Sequence, residues 1–384
     1  MTASVDGWPL VAQEPSELRD VRRNVEINVG KSCNNKCVFC LDGMPSREDK
    51  QFIGFAAIVA ELERFRAQGY ESVGFLGGEP TTYSRIADSI AHARALGYTR
   101  IAIATNAMMF RRPAFVDELV DAGLSRVTIS MHGHTPELED RLTAVPGGFA
   151  KKCEAIRNLQ AKQRQGALRD GISVNVVLNG WNFRHLPKML RFFFEELDLR
   201  DLRANFVRPE GYAVGNADLT PTLTAVAPVL MKAIVLNEYR FKRELSFGGL
   251  PLCTFPPELL GSRHLLKRYL GDVYRDLSTS CSVRSEGVET GVAKTESGRS
   301  RFNWQDRKRY DLKEKASCCR DCVLDRACEG LWVGYADLYG TAELSPLQWN
   351  ATRLERREPL GAPPAPRASA AREALPRRLP VLGA

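Results

Sequence analysis

Three cysteines fall within eight residues, in the run Cys33-Asn34-Asn35-Lys36-Cys37-Val38-Phe39-Cys40. They follow the apolar stretch at 25–29 directly. Thiolates are soft metal ligands, and three of them at x3 and x2 spacing can hold three corners of an iron–sulfur cube. A fully protein-ligated [4Fe–4S] cluster takes four thiolates, so three leave one iron open to another ligand. Two plainer readings share the spacing: a zinc knuckle short of its fourth ligand, and a chance group of buried thiols. Structural zinc closes with four protein ligands, commonly in paired C-x2–4-C units, which favours the cluster.

The chain of 384 residues has ten cysteines. Its first twenty residues show no basic start followed by an apolar run, so no export signal is read there. Cysteines in a chain without such a signal are better explained by metal than by disulfides. No stretch reaches the roughly 18 consecutive apolar residues of a membrane span. A cytoplasmic protein is expected. The net charge of +8 is uneven: residues 351–384 carry seven Arg against three Glu, half of the total. The rest is too nearly balanced to argue for nucleic acid by itself. Residues 299–315 hold seven basic and three acidic side chains with Phe302, Trp304 and Tyr310 interleaved. That composition could grip RNA or an acidic peptide, but a solvated loop is the preferred reading.

The thiols need a scaffold, and the chain supplies a regular beat. Strands are expected at 25–29, 72–76, 101–105, 126–131, 172–178 and 202–207, all mostly apolar. Helices are expected at 54–67, 84–96, 113–122, 149–163, 185–197 and 220–243. In the first, Phe55, Ile58, Val59, Leu62 and Phe65 form one stripe and Gly69 sits where a terminating glycine belongs. Six strand–helix units imply a parallel sheet with right-handed crossovers, covered on both faces. An open six-unit barrel and a doubly wound sheet both fit, and each gathers ligands at the C-terminal ends of its strands.

The polar residues fall at those ends. The cysteine loop follows the first strand and Gly77-Gly78-Glu79-Pro80 the second. Thr105-Asn106 ends the third and Ser130-Met131-His132-Gly133 the fourth. Asn175 lies in the fifth, and Arg208-Pro209-Glu210-Gly211 follows the sixth. An open iron suits a ligand with both an amine and a carboxylate, and S-adenosylmethionine (SAM) offers both. One electron can then cleave its carbon–sulfur bond and release a 5′-deoxyadenosyl radical that abstracts an inert hydrogen. Such a site needs a carboxylate near the ammonium and backbone without steric bulk, which Glu79, Gly77 and Gly78 offer.

Through C-x3-C-x-F-C at Cys33, Cys37, Phe39 and Cys40, and GGEP one strand later, the chain resembles the radical SAM enzymes over about residues 23–210. The resemblance implies a partial (β/α)6 TIM-like barrel followed by a small cysteine-rich auxiliary-cluster domain. Cys33, Cys37 and Cys40 would ligate the SAM-binding [4Fe–4S] cluster, and Phe39 would lie by the adenine. Gly77, Gly78 and Glu79 would hold the methionine amino group. Thr105, Asn106, Ser130 and Asn175 would line the ribose and carboxylate side, with Arg141 helping at the carboxylate.

The downstream run Cys319-x2-Cys322-x5-Cys328 resembles the auxiliary module, of "twitch" or SPASM type, that follows the barrel in many such enzymes. Cys253 is then the upstream fourth ligand of one auxiliary [4Fe–4S] cluster, with Cys318 and Cys281 as alternates. A four-cysteine zinc site has the same residues. Cys153 is read as a buried structural thiol. His92, His132, His134, His185 and His264 show no metal spacing, although His132 and His134 sit at a strand end.

The expected organisation is a leader at 1–22, the barrel at 23–215, a helical connection at 216–246, the auxiliary module at 247–350, and a disordered tail at 351–384. The expected activity is radical chemistry on a peptide or protein side chain, with an external electron donor such as flavodoxin or ferredoxin. The runner-up substrate is a small molecule or nucleotide, as in the related GTP cyclase of molybdopterin synthesis, and RNA is third. A zinc protein that binds nucleic acid through 299–315 and the tail is the reading of a different class.

Overall fold

The computed structural model describes residues 22–41, 52–270, 279–281, 308–350 and 353–356. Strands β1 (Asn24–Asn28), β2 (Ser72–Leu76), β3 (Arg100–Thr105), β4 (Arg126–Ser130), β5 (Gly171–Leu178) and β6 (Asp201–Phe206) occupy the six expected places. Helices α1 (Phe55–Ala67), α2 (Ile86–Ala95), α3 (Pro113–Ala122), α4 (Pro136–Thr143), α5 (Gly148–Arg164) and α6 (Leu186–Arg191) connect them. All the strands are parallel, and they neighbour one another in unbroken chain order. A doubly wound sheet would reverse its order part way, so the fold is the TIM-like partial barrel.

Two further parallel strands join its edges. β7 (Glu244–Gly248) pairs with β6, and β8 (Thr279–Cys281) pairs with β1. The barrel therefore runs past the boundary expected at 215, and β7 replaces the end of the expected helical connection. Both strands are too short to show a period, and β8 holds no large apolar side chain. α4 was not anticipated either. Its start was nonetheless legible: Thr135 caps it by accepting from the Leu138 N–H, with Pro136 at the first helical position.

The strands alternate. Val25, Ile27, Val73, Phe75, Ile101, Ile103, Val127, Ile129, Val174 and Val176 are buried under the helices. Glu26, Asn28, Thr128, Ser130, Asn175, Arg203 and Asn205 take the other, half-buried positions. Burial of both faces was expected. Instead one face of the sheet is polar and partly open, as a ligand-receiving lumen requires.

α7 (Leu223–Leu236) continues through a wide turn to Phe241. By length and composition the run Ala217–Phe241 passes for a membrane span. Its Leu223, Val226, Leu230, Ala233 and Ile234 are buried in the core, which is how a core helix packs. Glu343 accepts from the Leu223 and Thr224 N–H groups and the Thr224 hydroxyl at its start, and is itself held by the Tyr335 hydroxyl. Glu343→Ala should therefore cost about 2–4 kcal/mol through orphaned donors. Urea denaturation checks this, with Glu343→Gln expected to lose less.

The C-terminal part is built from small pieces. After α8 (Pro257–Leu260) and α9 (Arg263–Tyr269) come β9 (Lys313–Glu314) paired with β10 (Leu331–Trp332), a helix at Val333–Tyr339, and the hairpin of β11 (Leu347–Asn350) and β12 (Arg353–Arg356). β12 lies beyond the tail boundary expected at 351. Its Arg356 donates to the carbonyls of Cys253 and Phe255. Of the basic stretch at 299–315, only 308–315 is described. There Lys308 and Lys313 are buried rather than solvated, 3.1 and 2.7 Å from the Glu329 carboxylate. One half-buried anion answers two cations, so these lysines are not part of an exposed basic surface. Residues 1–21 of the expected leader lie outside the described residues.

Candidate active site

The cysteine loop is held from two sides. α4 ends with carbonyls that lack helical partners, and two of them are used here. Thr143 and Leu142 accept from the Lys36 and Val38 N–H groups at 3.0 Å each, so the clamps bracket Cys37. On the other side, Gly78 N–H donates to Gly30 O and Glu79 N–H to Ser32 O, both at 2.7 Å. A Cβ at 77 would sit 2.4 Å from Gly30 O, and one at 78 would sit 2.2 Å from Ser32 O. Gly77 also takes a φ of +141°. The two glycines thus let the GGEP loop touch the cysteine loop directly.

Glu79 is almost fully buried. Its Oε1 accepts the Thr81 N–H at 3.0 Å, the Thr81 hydroxyl at 2.5 Å and the Thr105 hydroxyl at 2.6 Å. Among the described residues its Oε2 accepts only the Asn106 N–H, at 2.6 Å. Burial raises the carboxyl above its ordinary range, and the hydrogen bonds from Thr105, Thr81 and Asn106 oppose that rise. Oε1 is filled, so any cationic ligand would be met by Oε2, which has acceptor capacity left. Asn106 extends the network by donating from Nδ2 to Asn34 Oδ1 at 2.6 Å, inside the cysteine loop.

The structure thus brings Cys33, Cys37, Cys40, Gly77, Gly78, Glu79, Thr105 and Asn106 into one linked set. Thr105 is a positioning group, since its hydroxyl is given to Glu79 and accepts the Ala107 N–H. Ser130 and Asn175 face each other across β4 and β5, and Asn175 Oδ1 accepts from Asn205 at 2.7 Å. Arg141 does not join the set: it is exposed, with its guanidinium 4.0 Å over the Trp181 ring. Phe39 is buried edge-on against His132 at 4.7 Å.

Two residues that pattern did not single out for the site lie beneath the loop, beside His132. Glu139 on α4 and Lys152 on α5 form an ion pair at 2.5 Å, both side chains fully buried. The other Glu139 oxygen accepts the His132 and Gly133 N–H groups. Burial would raise the Glu139 carboxyl, but the Lys152 ammonium and these donors bring it below its ordinary range. His132 Nδ1 accepts the Val177 N–H at 3.0 Å. Burial lowers the His132 pKa from 6.5 to about 4, so the ring is neutral in the folded protein. The unfolded chain takes up that proton first as pH falls, so stability present above about pH 6.5 should drain away towards pH 4. Denaturation midpoints across this window should fall more steeply in the wild type than in His132→Gln.

The second cysteine group closes on itself. Cys253, Cys319, Cys322 and Cys328 line one cavity, with Pro251 and Leu324 among its apolar walls. Cys318 does not line it, and Cys281 ends β8 in the barrel sheet. Backbone N–H groups aim at the sulfurs: Leu252 and Gly330 at Cys328, both 3.4 Å, and Leu347 at Cys322, 3.3 Å. Such bonds stabilise thiolates around an iron–sulfur group. Among the described residues no three His, Cys, Asp or Glu side chains converge as on a single ion. Four thiols around one cavity are a donor set that an iron–sulfur cube or a tetrahedral zinc would take. Cys153 is buried in α5.

Residues 27–193 match the model of the Radical SAM superfamily. The PqqA peptide cyclase of Rhodopseudomonas palustris is 32% identical over 171 residues, 44% of this chain and 42% of that protein. The GTP 3′,8-cyclase of Pseudomonas putida is 31% identical over 179 residues, 46% of this chain and 51% of that protein. The chain spans about half the length of these curated relatives. Among solved structures, Streptococcus suis SuiB bound to S-adenosylmethionine shares the fold with a TM-score of 0.53 and 18% identity, over 82% of this chain and 74% of that one. SuiB bound to the precursor peptide SuiA gives 0.51 and 17%, over 82% and 72%.

Proposed function

We propose that the protein is a radical SAM enzyme that modifies a peptide or protein side chain, with one iron–sulfur cluster at Cys33, Cys37 and Cys40 and an auxiliary one at Cys253, Cys319, Cys322 and Cys328. The observation that carries this is the contrast between the two thiol sets: three bound against the Glu79 loop, and four closed around a cavity. When bound, the first cluster supplies the electron that cleaves S-adenosylmethionine to a hydrogen-abstracting 5′-deoxyadenosyl radical.

The chain's own groups prepare for that chemistry. Glu79 Oε2 offers an acceptor to the methionine ammonium, while Thr81, Thr105 and Asn106 hold the carboxylate in place. Ser130, Asn175 and Asn205 on the half-buried sheet face receive the polar parts of cofactor and substrate. The four closed thiols leave no protein-derived vacancy on the auxiliary group, which suits electron transfer. A donor such as flavodoxin or ferredoxin would supply the reducing electron, in a reducing, cytoplasmic setting.

A peptide substrate is supported by the likeness to PqqA peptide cyclase. The SuiB fold likeness also reaches well beyond residues 27–193, into the C-terminal module. The similar likeness to a GTP 3′,8-cyclase keeps a nucleotide as the second reading. Anoxic reconstitution should load about eight irons and eight sulfides per chain; bound zinc without visible absorbance would contradict the proposal. Incubation with precursor peptides and with GTP, followed by mass spectrometry, separates the two substrate classes.

A further inference from the structure

The ion pair under the cysteine loop is an expensive thing to bury. Taking both charges out of water costs more than a well-packed apolar pair would, unless every polar atom is answered. Here they are answered by the surrounding backbone. Lys152 donates to Glu139 at 2.5 Å and to the Ser130 carbonyl at 2.8 Å. Glu139 accepts from His132 and Gly133 at 2.6 and 2.7 Å. The pair thereby joins α4, α5 and the end of β4. α4 in turn holds the backbone on both sides of Cys37 through Leu142 and Thr143.

We propose that the Glu139–Lys152 pair is a positioning element for the metal group of the cysteine loop, fixing the backbone on both sides of Cys37 through α4. This rests on the reading that Cys33, Cys37 and Cys40 hold a cluster.

The test is the neutral double variant Lys152→Met/Glu139→Gln in the full chain, loaded with both clusters. The glutamine keeps an acceptor for His132 and Gly133. Midpoint potentials are read by electron paramagnetic resonance (EPR), with the auxiliary cluster as the internal reference. The expected result is a changed potential or line shape at the first cluster, an unchanged auxiliary potential, and several-fold slower 5′-deoxyadenosine release at a fixed donor potential. Selective loss of the first cluster, with the auxiliary cluster and thermal melting unchanged, equally supports the positioning role. A first cluster at full occupancy with wild-type potential and spectrum overturns it. Should the double variant not fold, Lys152→Gln, which keeps a donor but no charge, is judged by the same criteria. A wild type whose first cluster ignores S-adenosylmethionine overturns the underlying reading instead, so the two failures are distinct.

Discussion

Replacing Cys33, Cys37 and Cys40 together with Ala should abolish 5′-deoxyadenosine formation while leaving the downstream iron in place. The two thiol sets sit on different scaffolds: one on the loop after β1, the other on the turn at Leu252–Thr254 and the segments around β9 to β11. No described hydrogen bond joins them, so emptying one has no direct route to the other. About half of the iron should remain, with the visible absorbance of a closed cluster. Retained 5′-deoxyadenosine formation in this variant would mean that the radical chemistry lies elsewhere.

Glu79→Ala should be nearly as damaging, by a different route. It orphans the Thr81 and Asn106 N–H groups in a buried place and removes the acceptor shared by the Thr81 and Thr105 hydroxyls. Each buried unpaired donor costs about 1–3 kcal/mol, and the contact from Asn106 to Asn34 is loosened with it. At least a hundredfold loss of activity is expected, since the cationic ligand loses its carboxylate acceptor and the loop that presents it is loosened, together about 2.7 kcal/mol or more of activation free energy. Glu79→Gln should fall between, because one amide oxygen still serves Thr81 and Thr105 while its NH2 opposes the Asn106 N–H. Iron content should hold in both variants. A substrate-independent rate of S-adenosylmethionine cleavage equal to wild type in Glu79→Ala would remove Glu79 from the site.

The parts of this site that were legible in sequence are those whose constraint is local. Cysteines at x3 and x2 declare a shared ligand, and two glycines before Glu79 declare a close backbone approach. Long apolar strands with terminated helices declared six units of the barrel. What stayed hidden depends on chain segments meeting. Glu139 and Lys152 sit on separate helices, and neither has a motif around it. β7 and β8 exist because a neighbouring edge accepts them, not because of their own pattern. That Cys319 lines the cavity is visible only once the segments meet, and the burial of Lys308 and Lys313 needed Glu329. The family resemblance implied that Arg141 would help at the carboxylate. The Trp181 ring, some forty residues on, holds it elsewhere.

The central claim is that an open cluster at Cys33, Cys37 and Cys40 binds S-adenosylmethionine while the downstream cluster is closed to it. The most direct measurement is EPR of the reduced, reconstituted protein with and without S-adenosylmethionine. The account predicts two signals, of which one changes on addition and disappears in the Cys33/Cys37/Cys40→Ala variant, while the other is indifferent to both. Two signals that ignore S-adenosylmethionine, or a protein that takes up zinc and shows none, would contradict it.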